Sequence, residues 1–177
     1  MLTALEKWHF LQRAPHDDAM NKNLRYLAAH LWAASDHNTR RYILLCMAVA
    51  RDWITMLPDS DRVEGEDIAG LTRDPQPDDA IDALKRGYDD CDAKARLFIA
   101  LCLIYGISAR MVPYWKRPGQ PLTPWGEPTD SLSHVAAEVL EDGKWKPVEL
   151  TLARAQYGEL GSQVPKDSNG RWLLAGN

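Results

Sequence analysis

Leu97 to Tyr105 runs without a single charged side chain and is closed by Gly106. A helix that is apolar on every side has no face to offer water, so it belongs at the buried centre of a domain, with other elements packed around it. Gly106 suits the left-handed residue that ends such a helix. The helix opens in a different chemistry. Tyr88-Asp89-Asp90-Cys91-Asp92 is polar and acidic, and it sets a cysteine in the first turn. Unpaired N–H groups and the helix dipole favour an anion there, which eases ionisation of a thiol, while Asp89, Asp90 and Asp92 oppose it by like charge. The commoner fate of a lone cysteine is to be a small buried hydrophobe, and this stands as the alternative for Cys91.

The flanking text supplies the elements that would cover this helix. A short helix is expected over residues 2–12, ending before Pro15. From Asp17 to about Ala34, Met20, Leu24, Leu27, Ala28, Leu31 and Trp32 recur at three and four, the spacing of one helix face. Tyr42 to Met56 reads as a second long helix containing Cys46 and Trp53, entered through the capping cluster Ser35 to Thr39. Leu57 to Ala80 is rich in Pro, Asp and Gly and reads as a wrapping loop, and Asp79 to Lys85 as a short helix. The period then changes. Ile107 to Trp115 alternates as a strand, with Ala109, Met111 and Pro113 on one side. After a Pro- and Gly-rich loop, Leu132 to Leu140 and Trp145 to Leu152 flank Asp142-Gly143, a strong hairpin signal. The expected plan is a single α+β domain over residues 1–177. It has a helical lead-in (1–56), a core (about 80–152) whose cysteine-bearing helix packs on an antiparallel sheet, and a weakly patterned extension (153–177).

Charge and cysteine usage narrow the function classes. A net charge of −4 lacks the basic face that phosphate backbones require, so nucleic acid is not the expected partner. The start shows no basic region followed by an apolar run, and the apolar runs fall short of the roughly 20 residues that span a bilayer, so a cytoplasmic protein without membrane contact is expected. Three cysteines, two of them inside apolar helical runs, suit a reducing compartment better than a disulfide framework. No CxxC pair or i,i+4 histidine pair suggests a metal, and the acids of 59–67 lack calcium-loop spacing; no cofactor is expected.

A cysteine nucleophile needs a base and a group that orients the base. His134 is the one histidine after Cys91, and it lies on the strand before Asp142-Gly143. If the turn centres on residues 142 and 143, Ser133 to Ala136 face roughly Val148 to Thr151, which makes His134 and Glu149 near neighbours on one face. For an oxyanion donor or cleft wall the candidates are Trp53, Tyr88, Trp115 and Trp125, each of which could equally be a packing residue.

These residues also carry a resemblance. Asp90-Cys91-Asp92-Ala93-Lys94-Ala95 before an apolar helix, Gly106-Ile107-Ser108-Ala109-Arg110, His134-Val135-Ala136-Ala137-Glu138-Val139 and Asp142 to Glu149 together resemble the core of the transglutaminase-like superfamily, in a bacterial or prophage-type form. Order and layout are also similar to papain-like cysteine proteases. The resemblance implies an α+β papain/transglutaminase-like fold, with Cys91 as nucleophile, His134 as general base and Glu149 as orienting acid. It implies a cysteine-dependent amide or peptide hydrolase, or an acyl transferase, that passes through a thioester on a polypeptide or amide substrate. The chain departs from the common pattern at three places: Tyr88 and Asp89 stand where a glycine is usual, Ala136 where a tryptophan is usual, and Glu149 where an aspartate is usual. The alternative is a non-catalytic module on the same fold that binds phage structural proteins and is virion-associated.

Overall fold

The structure is a computed structural model that describes residues 4–56, 79–115, 123–124, 132–161, 168 and 174. Among them the helices are α1 (Ala4–Asp18), α2 (Lys22–Ala34), α3 (Thr39–Asp52), α4 (Ala80–Arg86) and α5 (Cys91–Ile104). The strands are β1 (Thr55–Met56), β2 (Tyr88–Asp89), β3 (Ala109–Trp115), β4 (Thr123–Pro124), β5 (Leu132–Glu141) and β6 (Lys144–Val148). The last four form one antiparallel sheet in the order β4-β3-β5-β6, and β1 pairs with β2 in parallel.

The apolar helix is the centre that its sequence demands. Every residue of α5 from Ala93 to Cys102 is buried, with α1 to α4 on its helical sides and β3 and β5 on another. Gly106 takes a left-handed φ of +69°, and the Ile107 N–H returns to the Cys102 carbonyl at 3.0 Å, which closes the helix end. Alternation along the strands does the rest. Met111 of β3 and Val135, Ala137 and Val139 of β5 join the main core with Val148 of β6. Val112, Tyr114 and Ala136 belong to the opposite face and form a second, smaller core.

The α+β plan holds, and several boundaries move. α1 continues through Pro15 to Asp18, because Trp8, Leu11 and Ala14 are buried and Asp18 pairs with Arg96 of α5 at 2.9 and 3.0 Å. This tertiary anchorage outweighs one lost backbone hydrogen bond. α2 begins at Lys22, where Asn21 accepts from the Asn23 N–H at 2.9 Å, and Met20 is 70% exposed instead of lying on the buried face. α3 ends at Asp52, four residues before the expected Met56, since the chain turns there to pair Thr55 with Tyr88. Trp53 is therefore the C-cap of α3, 60% exposed, and not a core residue within a helix. β6 stops at Val148, so Glu149 and Leu150 leave the ladder. Most of the expected loops at 57–80 and 116–130 lies outside the described residues.

Two cations inside α5 are not anticipated by its apolar pattern. Lys94 has no exposed surface, and its Nζ donates to the Arg51 carbonyl at 2.7 Å and to the Ile54 carbonyl. The ammonium thereby caps the end of α3, where carbonyls lack helical partners. Arg96, 4% exposed, holds α1 through Asp18.

Candidate active site

Cys91 is delivered by a chain of local caps. Asp79 caps α4 by accepting from the Asp82 N–H at 2.9 Å, and Gly87 ends that helix at φ +76°. β2 follows, and Asp90 then caps α5 by accepting from the Asp92 N–H at 3.2 Å, which makes Cys91 the first helical residue. The neighbouring acids divide their roles. Asp89 is 2% exposed, receives Arg86 Nη2 at 2.6 Å and accepts from the Asp90 N–H, so its charge is spent in structure. Burial is the largest influence on the Cys91 thiol and pushes it well above the usual range; Asp90 and Asp92 add to this, the Val135 N–H opposes it, and Glu149 adds to it again. The residue as a whole keeps part of its surface exposed. Desolvation and the two adjacent carboxylates thus work against the ionisation that the helix start favours.

The partner residues come from the hairpin. Asp142 and Gly143 have φ of +51° and +73°, the left-handed pair that a two-residue turn requires, and β5 and β6 pair Glu141 with Lys144 through Ala137 with Val148. The register is one residue off the expected one, in which Ala136 faced Val148: with Ala137 opposite Val148, Glu149 lies beyond the strand end and its carboxylate reaches His134. His134 Nε2 lies 3.1 Å from Glu149 Oε2. Thr151 donates to the other carboxylate oxygen twice, from its N–H at 2.9 Å and its Oγ1 at 2.6 Å. Glu149 is 1% exposed, and burial pushes its carboxyl up, but the hydrogen bond and charge of His134 with the two bonds from Thr151 hold it below its usual 4.5.

His134 and Glu149 are thus directly bonded, and the Cys91 thiol lies against the backbone N–H of Val135, the residue after His134. Trp53 and Tyr88 stand on the paired segments that lead to the cysteine, with Thr55 beside Tyr88 and Arg86 5.9 Å over the Tyr88 ring. Trp115 ends β3 opposite Leu132 and Thr123, and Trp125 lies outside the described residues. Sequence reasoning missed Thr151, Tyr114 and Lys94. A threonine two residues after an acid is a local signal for the first; the other two depend on burial that no local pattern carries. Among the described residues no group of His, Cys, Asp and Glu is arranged to hold a metal ion.

A thiol at the start of a buried helix, facing a strand that bears a histidine bonded to a buried carboxylate, defines a papain/transglutaminase-like α+β protein. The family model of the transglutaminase-like superfamily matches residues 62–150, just over half of the chain, and the protein belongs to that superfamily. In fold it is similar to the crystal structure of a putative protease from Parabacteroides distasonis, with a TM-score of 0.56 and 12% sequence identity over 87% of this chain. The chain spans 28% of the length of that protein. No curated protein matches it significantly. Among the described residues no helix is long and apolar enough to cross a membrane.

Proposed function

We propose that the protein is a cysteine-dependent hydrolase or acyl transferase acting on amide bonds of polypeptides, with Cys91 as nucleophile, His134 as general base and Glu149 as orienting acid. The observation that carries this reading is the 3.1 Å contact of His134 Nε2 with a buried Glu149 that Thr151 holds in place. With Nε2–H donating its hydrogen bond to Glu149, Nδ1 is the basic nitrogen. The raised thiol makes the first step a concerted one: as Sγ attacks the carbonyl carbon, its proton passes to Nδ1. The tetrahedral oxyanion is met by the Cys91 backbone N–H, which has no partner within the helix at its first position, and by a donor from the Trp53–Tyr88 corner. Collapse breaks the C–N bond, the amine leaves with the proton from Nδ1, and a thioester remains on Cys91. Water, deprotonated by His134, then releases the acid and restores the thiol; an acceptor amine in place of water gives transfer. Three free cysteines support a cytoplasmic location.

The test uses p-nitrophenyl acetate, an activated ester that needs no knowledge of the natural substrate. The expected result is a p-nitrophenol burst with one acetyl group mapped to Cys91, abolished in Cys91→Ala and cut at least about 100-fold in His134→Ala. Addition of a primary amine separates transfer from hydrolysis. An absent burst, or acetylation spread over Cys46 and Cys102, refutes the reading. The raised thiol favours a second reading, a non-catalytic binding module of the phage-associated kind; it predicts no burst and partner binding unaffected by Cys91→Ala.

A further inference from the structure

β3 sets Tyr114 directly across from His134, and the two rings lie 5.2 Å apart at an interplanar angle of 52°. Tyr114 is 8% exposed, yet among the described residues its hydroxyl meets no hydrogen-bond partner. A buried hydroxyl left unpaired costs about 1–3 kcal/mol. What packs in the fold is the ring. That ring belongs to the small second core with Val112 and Ala136, and Leu160 packs against this cluster.

Leu160 lies outside the span that the family model matches. Its segment is fastened on both sides: Arg51 Nη1 donates to the Ala155 carbonyl at 2.6 Å, and the Gly158 N–H to the Pro147 carbonyl at 2.9 Å. At Gly161 a Cβ atom would come 3.5 Å from Glu149 Oε2, so the same segment also runs close against the carboxylate. The stretch after the hairpin thus covers the flank of the histidine–glutamate pair.

An imidazole held through Nε2 alone can still swing about that bond and carry Nδ1 away from the thiol. A second ring packed beside it at a tilt limits this freedom. We propose that Tyr114, in the small cluster that Leu160 packs against, is the positioning residue that fixes the His134 ring so that Nδ1 faces Cys91. The inference rests on the Cys91–His134–Glu149 reading, and it gives the segment after residue 150 a role in the site.

The test compares Tyr114→Phe, Tyr114→Ala and Leu160→Ala in the full chain. Two readouts are taken: the rate of Cys91 acetylation by p-nitrophenyl acetate across pH, and the side-chain nitrogen shifts of His134 by NMR, which report its tautomer. Tyr114→Phe keeps the ring and is expected to match the parent protein in both. Tyr114→Ala and Leu160→Ala are expected to slow acetylation at least about tenfold and to move the two nitrogen shifts toward averaged values. A merely structural role would lower the melting temperature and leave the shifts and the acetylation rate of folded protein unchanged, which overturns the proposal. Equal loss in Tyr114→Phe overturns it too, by assigning the effect to the hydroxyl. If Tyr114→Ala does not fold, Leu160→Ala decides, since it trims only the backing. Equal acetylation in His134→Ala and parent refutes the catalytic reading, whereas the nitrogen shifts still report positioning.

Discussion

Replacing Glu149 by glutamine changes few atoms and reverses the logic of the site. The carboxylate accepts three hydrogen bonds, from His134 Nε2 at 3.1 Å, the Thr151 N–H at 2.9 Å and Thr151 Oγ1 at 2.6 Å. In Glu149→Gln the amide oxygen keeps the Thr151 side, and the amide nitrogen, a donor, turns to His134. Nε2 must then accept, so the ring proton moves to Nδ1, the nitrogen that takes the thiol proton in the proposed reaction. The same tautomer reversal in a serine triad costs about 10⁴ in rate, or about 5.5 kcal/mol of transition-state stabilisation, and a loss of that order is expected in the acetylation of Cys91. The fold should lose about 1–3 kcal/mol, the difference between charge-assisted and neutral bonds. The pH dependence has a definite sign. Because the folded carboxyl lies below its usual 4.5, the ionised form favours folding; this stability is full above about 4.5 and is lost as pH falls through the folded value. Urea unfolding from neutral to acid pH should therefore show a steeper acid loss in the parent than in Glu149→Gln. A folded Glu149→Gln that acetylates within about tenfold of the parent refutes the tautomer argument.

Asp18→Asn removes the carboxylate that pairs with Arg96, 4% exposed, and should cost about 3–5 kcal/mol in urea unfolding, whereas the apolar double replacement Asp18→Leu/Arg96→Met should lose clearly less than the sum of the two single changes; additive losses in the double variant would contradict this account. Lys94 is pushed down to about 8 chiefly by burial. The unfolded chain thus holds that proton more tightly, and stability should rise by roughly 3 kcal/mol as pH goes from about 8 to the usual 10.5, a rise that Lys94→Met lacks. Parallel pH curves for the two proteins would show that Lys94 does not titrate in this range.

Much of the frame is written in local text. An apolar run with a polar, capped start and a closing glycine specifies α5 and puts Cys91 at its first position, because periodicity, caps and left-handed glycines act over one or two turns. Asp142-Gly143 sets the hairpin to within one residue of the expected register, and the path of the chain beyond Val148 completes the contact of Glu149 with His134. Where local rules failed, a distant contact prevailed: Pro15 stays inside α1 because Asp18 reaches Arg96, and Trp53 is set at the surface because the chain turns to pair with β2.

The sequence by itself determined the central helix, the thiol at its start and the hairpin that carries His134, since each follows from spacing along the chain. Only the tertiary structure decided the rise of the Cys91 thiol above its usual range, the burial of Lys94 and Arg96, the clamp of Thr151 on Glu149 and the packing of Tyr114 in the cluster that Leu160 covers. These depend on how much water each group loses and which charges it meets. Desolvation sums over every element packed nearby, so no single stretch of the chain encodes it.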